Sequence, residues 1–367
     1  MKRILLPLDG SPLAEQAIPY AAALARNAGA CLILLRATQA NTLLDVDAYD
    51  AQAVVVSRAE HDLEAVETRL RETGLQTEAY VYYERPVLAI LDAARRRQAD
   101  LIVMSTHGRS GLGRMVYGSV ADDTLRHAEI PVLLVPATLD HAWPADWPLT
   151  VLVPLDGSEL AETAIENAGL LADRPGARLH LLQVVQPPSY PLYGDGYTYI
   201  PFDDKAERAA ARQYLQAQAE KLTSQGQQTT FEVATGQPDL VIARVAAEQQ
   251  ADVIAMATHG RGGLARLVLG SVATGALRRA HVPLLLTRPA TLGHPVPLPP
   301  AEDLTDPEPA AITLNLTPSE LVLVRRAVES LLLDSRQKEP DESQLCSLLA
   351  RLGTPEPAVP ASAHSAR

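Results

Sequence analysis

The sequence predicts an α/β fold used twice: two tandem, doubly wound, parallel five-stranded sheets of strand order 3-2-1-4-5, followed by a short helical C-terminal tail. Three observations predict it. Short apolar runs alternate with segments of helical spacing, the sign of right-handed βαβ units and a parallel sheet covered on both faces. The alternation then returns: ILLPLDGSPLAEQAI at 4–18 matches VLVPLDGSELAETAI at 151–165 in 11 of 15 positions, and residues 105–135 match 257–287 in 18 of 31. A glycine-rich stretch also follows the fourth apolar run in both copies, STHGRSGLGRMVYGS at 105–119 and ATHGRGGLARLVLGS at 257–271.

In the first copy the strands are expected at 3–8, 31–37, 77–82, 100–105 and 131–135. They are short and mostly unalternating, as strands buried on both faces are. Helical spacing covers 12–28, 55–73, 86–97 and 119–128. The offset between copies grows from 147 to 152 residues, so the second copy carries five extra residues, within its middle segment QPPSYPLYGDGYTYIPF at 186–202. The copies span 1–138 and 149–290, and LDHAWPADWPL between them, with two prolines and both tryptophans, reads as a short linker. In each copy the fifth strand is an apolar sheet edge without charge to protect it, so Val132 to Val135 is expected to pair with Leu284 to Thr287 as an internal pseudo-dimer.

Residues 291–367 begin with the Pro-rich acidic stretch PVPLPPAEDLTDPEPA, a stiff linker. Thr317-Pro318-Ser319-Glu320 then offers a helix cap, a first-turn proline and a capping acid ahead of Leu321, Val324, Val328, Leu331 and Leu332. A second run, Leu345, Leu348, Leu349 and Leu352, completes a helical hairpin, expected to dock on the tandem body or to self-associate.

Composition narrows the function. The chain has 367 residues, is 47% hydrophobic and carries a formal charge of -12, with no basic footprint for nucleic acid. No run approaches the ~20 apolar residues of a membrane span. The apolar stretch of MKRILLPLDG stops at Asp9, too soon for a signal-peptide core, and Cys31 and Cys346 offer neither a disulfide framework nor a zinc site. A cytoplasmic location is expected.

The fold says where ligands bind: at the carboxyl ends of the strands, where strand order reverses. Pro7, Asp9 and Ser11 leave the first strand there, and Ser105, His107, Gly108, Arg109 and Gly111 leave the fourth. Glycines let the backbone approach an anion, and Gly118-Ser119 opens a helix whose free N–H groups and dipole favour negative charge. Arg109 adds a forked cation. Pro154, Asp156, Ser158, Ala257, His259, Gly260, Arg261, Gly263, Gly270 and Ser271 repeat the set. Other readings stand beside this one. Ser119-Val120-Ala121-Asp122 is also a capping-box pattern, so Ser119 and Ser271 also read as helix caps. Asp9 and Asp156 equally fit caps of the next helix, and His107 and His259 fit structural hydrogen bonds.

These residues resemble the universal stress proteins in their tandem form, which have the adenine-nucleotide α-hydrolase-like fold. The family's signature, Gly-x2-Gly-x9-Gly-[Ser/Thr], stands here from its second glycine onward as Gly108 and Gly118-Ser119, and as Gly260 and Gly270-Ser271. Its first glycine is Ser105 in one copy and Ala257 in the other. The resemblance implies an ATP site in each copy, with Asp9 and Asp156 facing the nucleotide and the glycine loops with Ser119 and Ser271 holding ribose and phosphates. Ala37 and Val184 would lie against adenine with backbone hydrogen bonds, and Mg²⁺, if bound, would be held mainly by phosphates rather than by side chains. It also leaves open a homodimer and a protein partner of unspecified identity. No Walker Gly-x4-Gly-Lys-[Ser/Thr] and no Ser-His-Asp elbow occurs, so rapid turnover is not expected. The function implied is nucleotide-dependent stress response or signalling. The alternatives are an interaction scaffold with vestigial sites and a slow ATPase. Tyr190, Tyr193, Tyr197 and Tyr199 are expected either near the second nucleotide or on a surface loop.

Overall fold

A computed structural model of the chain describes residues 1–39, 48–106, 118–137, 139, 143, 148–172, 176–186, 204–258 and 270–288. The first copy runs β1 (Arg3–Pro7), α1 (Pro12–Glu15), α2 (Ile18–Ala28), β2 (Cys31–Thr38), α3 (Ala48–Glu72), β3 (Thr77–Tyr83), α4 (Pro86–Arg96), β4 (Leu101–Ser105), α5 (Ser119–His127) and β5 (Val132–Val135). The second runs β6 (Thr150–Leu155), α6 (Glu159–Ala172), β7 (Arg178–Val185), α7 (Lys205–Ser224), β8 (Gln228–Thr235), α8 (Pro238–Glu248), β9 (Val253–Ala257), α9 (Ser271–Arg279) and β10 (Leu284–Thr287). Both copies fall within one compact unit that ends at Leu298. The C-terminal helices expected from Thr317 onward lie outside the described residues.

One departure from the expected elements has a plain cause. The segment 12–28 forms two helices, because Pro19, at the second position of α2, has no N–H to offer the preceding turn. The chain closes α1 with tighter bonds, Gln16 N to Leu13 O (3.4 Å) and Ala17 N to Ala14 O (3.2 Å), then restarts with Ala21 N to Ala17 O (3.1 Å). In the second copy Glu166 occupies the matching position, and α6 runs unbroken.

The strand alternation builds two apolar layers. Ile4, Leu6, Leu32, Leu34 and Val103 face α2 on one side of the sheet. Leu5, Ile33, Leu35, Ile102 and Met104 face the side chains of α4 and α5 on the other. Both sets are buried, which is why the strands read as apolar throughout. Each such side chain contributes about 1.5–3 kcal/mol by leaving water.

The sheet order is β3-β2-β1-β4-β5-β10-β9-β6-β7-β8. Within each copy this is the expected 3-2-1-4-5. The copies join through β5 and β10, antiparallel, with Leu284 opposite Leu134 and Leu286 opposite Val132. The expected pseudo-dimer pairing is therefore present. All other strand pairs are parallel, so the halves run in opposite directions and their carboxyl ends lie on opposite edges of the sheet.

The linker is less passive than its composition suggests. Trp143 is only 7% exposed. Its ring meets that of Tyr20 edge to face at 5.0 Å, and its Nε1 donates to the Asp252 carbonyl at 3.1 Å. It thus ties the first copy to the second. Among the described residues, no helix is long and apolar enough to cross a membrane.

Candidate functional site

In each copy the first strand lies between the second and the fourth, so the turns leaving the first and fourth strands flank the point where strand order reverses. Pro7 ends β1 opposite Leu35, and Pro154 holds the matching place in β6 opposite Leu182. Asp9 Oδ1 then accepts the Ser11 N–H at 2.9 Å across Gly10, whose φ of +78° is a left-handed value that glycine tolerates. Ser11 Oγ accepts the Ala14 N–H at 3.1 Å and caps α1. The second copy repeats the turn around Gly157 (φ +79°): Asp156 Oδ1 accepts Ser158 N–H at 3.0 Å and Ser158 Oγ–H at 2.5 Å, and Ser158 Oγ accepts Ala161 N–H at 3.2 Å. The serines, not the aspartates, cap the helices. Each aspartate instead shapes the loop that carries it.

The fourth strands end in a neck. Ser105 pairs with Val135 and is 7% exposed; Ala257 pairs with Thr287 and is 8% exposed. Beyond them, Thr106 N–H donates to Val135 O at 2.9 Å and Thr106 O accepts Gly118 N–H at 2.6 Å. Thr258 makes the same two bonds, with Thr287 O (2.9 Å) and Gly270 N–H (2.8 Å). Each threonine backbone therefore clasps the strand end and the start of the next helix.

That helix start is not capped by a serine. Gly118 and Gly270 are the N-cap residues of α5 and α9 and have no side chain to cap either helix, and Ser119 and Ser271 sit exposed at the first helical position. The capping-box reading of Ser119 and Ser271 is thus corrected. The glycine backbones have φ of -70° and -58°, open to any residue. Among the described residues, a Cβ on Gly118 would meet only Thr106 O at 3.5 Å, an ordinary contact, and one on Gly270 would meet Thr258 O at 3.2 Å, slightly tight. Neither backbone conformation requires glycine. What each helix presents at the crevice is its first N–H groups and the positive end of its dipole, a site suited to an anion.

Ala37 and Val184 lie near the ends of the second strands, opposite Tyr82 and Ala234. His107, Gly108, Arg109, Gly111, His259, Gly260, Arg261 and Gly263, with the four tyrosines at 190–199, lie outside the described residues. Two features were not anticipated from the sequence. The Thr106 and Thr258 necks are one, although both threonines stand in the repeated Thr-His-Gly and were there to be found. Arg36 is the other: it is only 7% exposed and lies over the β1 turn, with Cζ 2.8 Å from where a Gly10 Cβ would be. Its Nη2 is 3.8 Å from Asp62 of α3.

Two sheets of this order, joined through their fifth strands, each with a clasped neck and a glycine N-cap beside its switch point, define a tandem doubly wound α/β protein. The chain belongs to the universal stress protein family, whose model matches residues 1–136 and 149–288. It is 28% identical over 217 residues to a universal stress protein of Mycolicibacterium smegmatis, across 59% of this chain and 70% of that one. A relative from Mycobacterium tuberculosis is 27% identical over 228 residues, across 58% and 70%. Among solved structures, a universal stress protein from Archaeoglobus fulgidus matches with a TM-score of 0.59 at 22% identity, over 78% of this chain and 98% of that one. This last likeness is one of fold.

Proposed function

We propose that each copy binds one ATP at its switch-point crevice and that the protein acts in nucleotide-dependent stress response or signalling. The observation that carries this reading is the start of α5 and α9: a helix terminus whose N-cap is a glycine, with no side chain to cap it and in a conformation that does not call for glycine, present in both copies. A phosphate approaching the backbone there supplies the missing reason. The helix N–H groups and Ser119 or Ser271 would hold phosphate and ribose, Asp9 or Asp156 would face the nucleotide, and Ala37 or Val184 would lie against adenine. The family resemblance assigns these last roles. Mg²⁺ would be held mainly by phosphate oxygens. Ser105 and Ala257, in place of the signature's first glycine, favour the scaffold with vestigial sites as the second reading.

Titration calorimetry with MgATP, supported by native mass spectrometry, tests this directly. Wild type is expected to bind two nucleotides per chain, Gly118→Val and Gly270→Val one each, and the double variant none. A β-branched side chain would occupy the space where phosphate approaches. The tighter 3.2 Å approach at Gly270 makes its variant the less stable of the two. Unchanged stoichiometry in folded single variants would return the glycines to the turn alone and favour the scaffold.

A further inference from the structure

The two crevices carry different chemistry at one matched position. Arg36 in β2 and Gln183 in β7 are 147 residues apart, the offset of the repeat, and both sit beside the residue proposed to meet the base. Gln183 pairs with Leu155, the residue before Asp156, which places it at the ligand edge of the second copy. Arg36 is engaged by its own copy: it packs over Gly10 and approaches Asp62. The α7 position matching Asp62 is Tyr214, whose hydroxyl donates instead to Glu162 Oε1 at 2.9 Å. Gln183 therefore has no carboxylate in that place. Its Oε1 is buried and finds no hydrogen-bond partner among the described residues. A buried acceptor left unpaired is costly, so a ligand donor that reaches it is favoured. A primary amide offers an acceptor whichever way it is turned, whereas a guanidinium offers only donors.

We infer that this position makes the crevices differ in how strictly they demand the base: Gln183 accepts from an exocyclic amino group in the second, and Arg36, with no acceptor to satisfy, adds no such demand in the first. The inference rests on the nucleotide reading above. It adds that the second crevice is the stricter adenine site, since a site built to receive an N–H discriminates against the analogue that lacks it.

The test uses full-length Gly118→Val and Gly270→Val, which leave the second and the first crevice respectively, titrated with ATP and with purine riboside 5′-triphosphate, the same nucleotide without its amino group. In the second crevice the analogue is expected to bind at least about tenfold more weakly than ATP, and in the first the loss is expected to be distinctly smaller. Gln183→Leu added to Gly118→Val should reduce the second-crevice loss to the first-crevice value, while Gln183→Glu, which keeps an acceptor, should retain the preference. If the leucine variant fails to fold, the comparison of the two crevices still decides. Equal losses in both crevices, with ATP bound in each, overturn the inference and leave the nucleotide sites standing. No ATP binding in either variant or in wild type overturns the nucleotide reading itself.

Discussion

In the first copy Pro19 divides the opening helix and a buried arginine lies over the β1 turn; in the second, Glu166 and Gln183 stand at those places and the helix is continuous. Yet the Asp-Gly-Ser turn, the threonine neck and the glycine N-cap repeat the same backbone N–H bonds in both copies. The duplicated chain has kept the backbone geometry at its two switch points and let the supporting helices and buried side chains diverge. Shared bonds thus mark what both crevices need, and the differences mark where the copies can be told apart by experiment.

The largest of these differences is at the linker. Trp143 fills a place against Tyr20 of the first copy while bonding to Asp252 of the second; the second-copy residue matching Tyr20 is Asn167, so the aromatic pair is not repeated. Trp143→Ala is expected to lower the unfolding free energy by about 3–5 kcal/mol in chemical denaturation, the usual cost of truncating a buried tryptophan. A loss below about 1 kcal/mol would mean that the Trp143 contacts add little to the joining of the copies.

Next in size is the helix break. Glu166→Pro would impose the first copy's proline on α6, removing an internal N–H bond and crowding the preceding carbonyl, for about 3 kcal/mol of lost stability. Pro19→Ala, where the chain is already divided, should change stability by less than about 1 kcal/mol. If the two substitutions proved equally mild, proline would be a bystander to the break rather than its cause.

How far these features were legible follows from their range. The βαβ alternation comes from apolar runs that the sequence displays directly, whereas the strand order, and with it the edge strands that pair as β5 and β10, is what the family resemblance implies. The Pro19 break was visible as a residue but was overridden by apolar spacing that continues through it. Ser119 misled for a different reason: Ser-x-x-Asp reads alike whether the serine is the cap or the first helical residue, and only the backbone shows that Gly118 holds the cap. The folding of Arg36 over Gly10 and of Trp143 against Tyr20 joins residues distant in the chain, for which local pattern carries no signal.

The smallest effect separates the copies by pH. His180 in β7 pairs with Leu152, the register place that Ile33 holds opposite Leu5 in the first copy. It is only 5% exposed; Nδ1 shares a 2.8 Å hydrogen bond with Thr230 Oγ1, and Nε2, 3.8 Å from Glu232 Oε2, has no hydrogen-bond partner among the described residues. Burial holds its pKa below the ordinary histidine value, with Arg178 adding to that effect, against the opposing pull of Glu232. The folded protein therefore favours the neutral ring. Above about pH 6.5, the unfolded value, both states are neutral and the contribution is complete. As pH falls below it, the unfolded chain takes up the proton first, and stability is lost through the folded pKa. His180→Ile, which restores the first copy's residue, should remove that part of the acid sensitivity. The melting temperature of the variant should fall less than that of wild type between pH 7.5 and 5.5, although carboxylates titrate in both. Parallel slopes would show that the Glu232 carboxylate compensates the buried charge, and that this strand tolerates histidine as readily as its counterpart holds isoleucine.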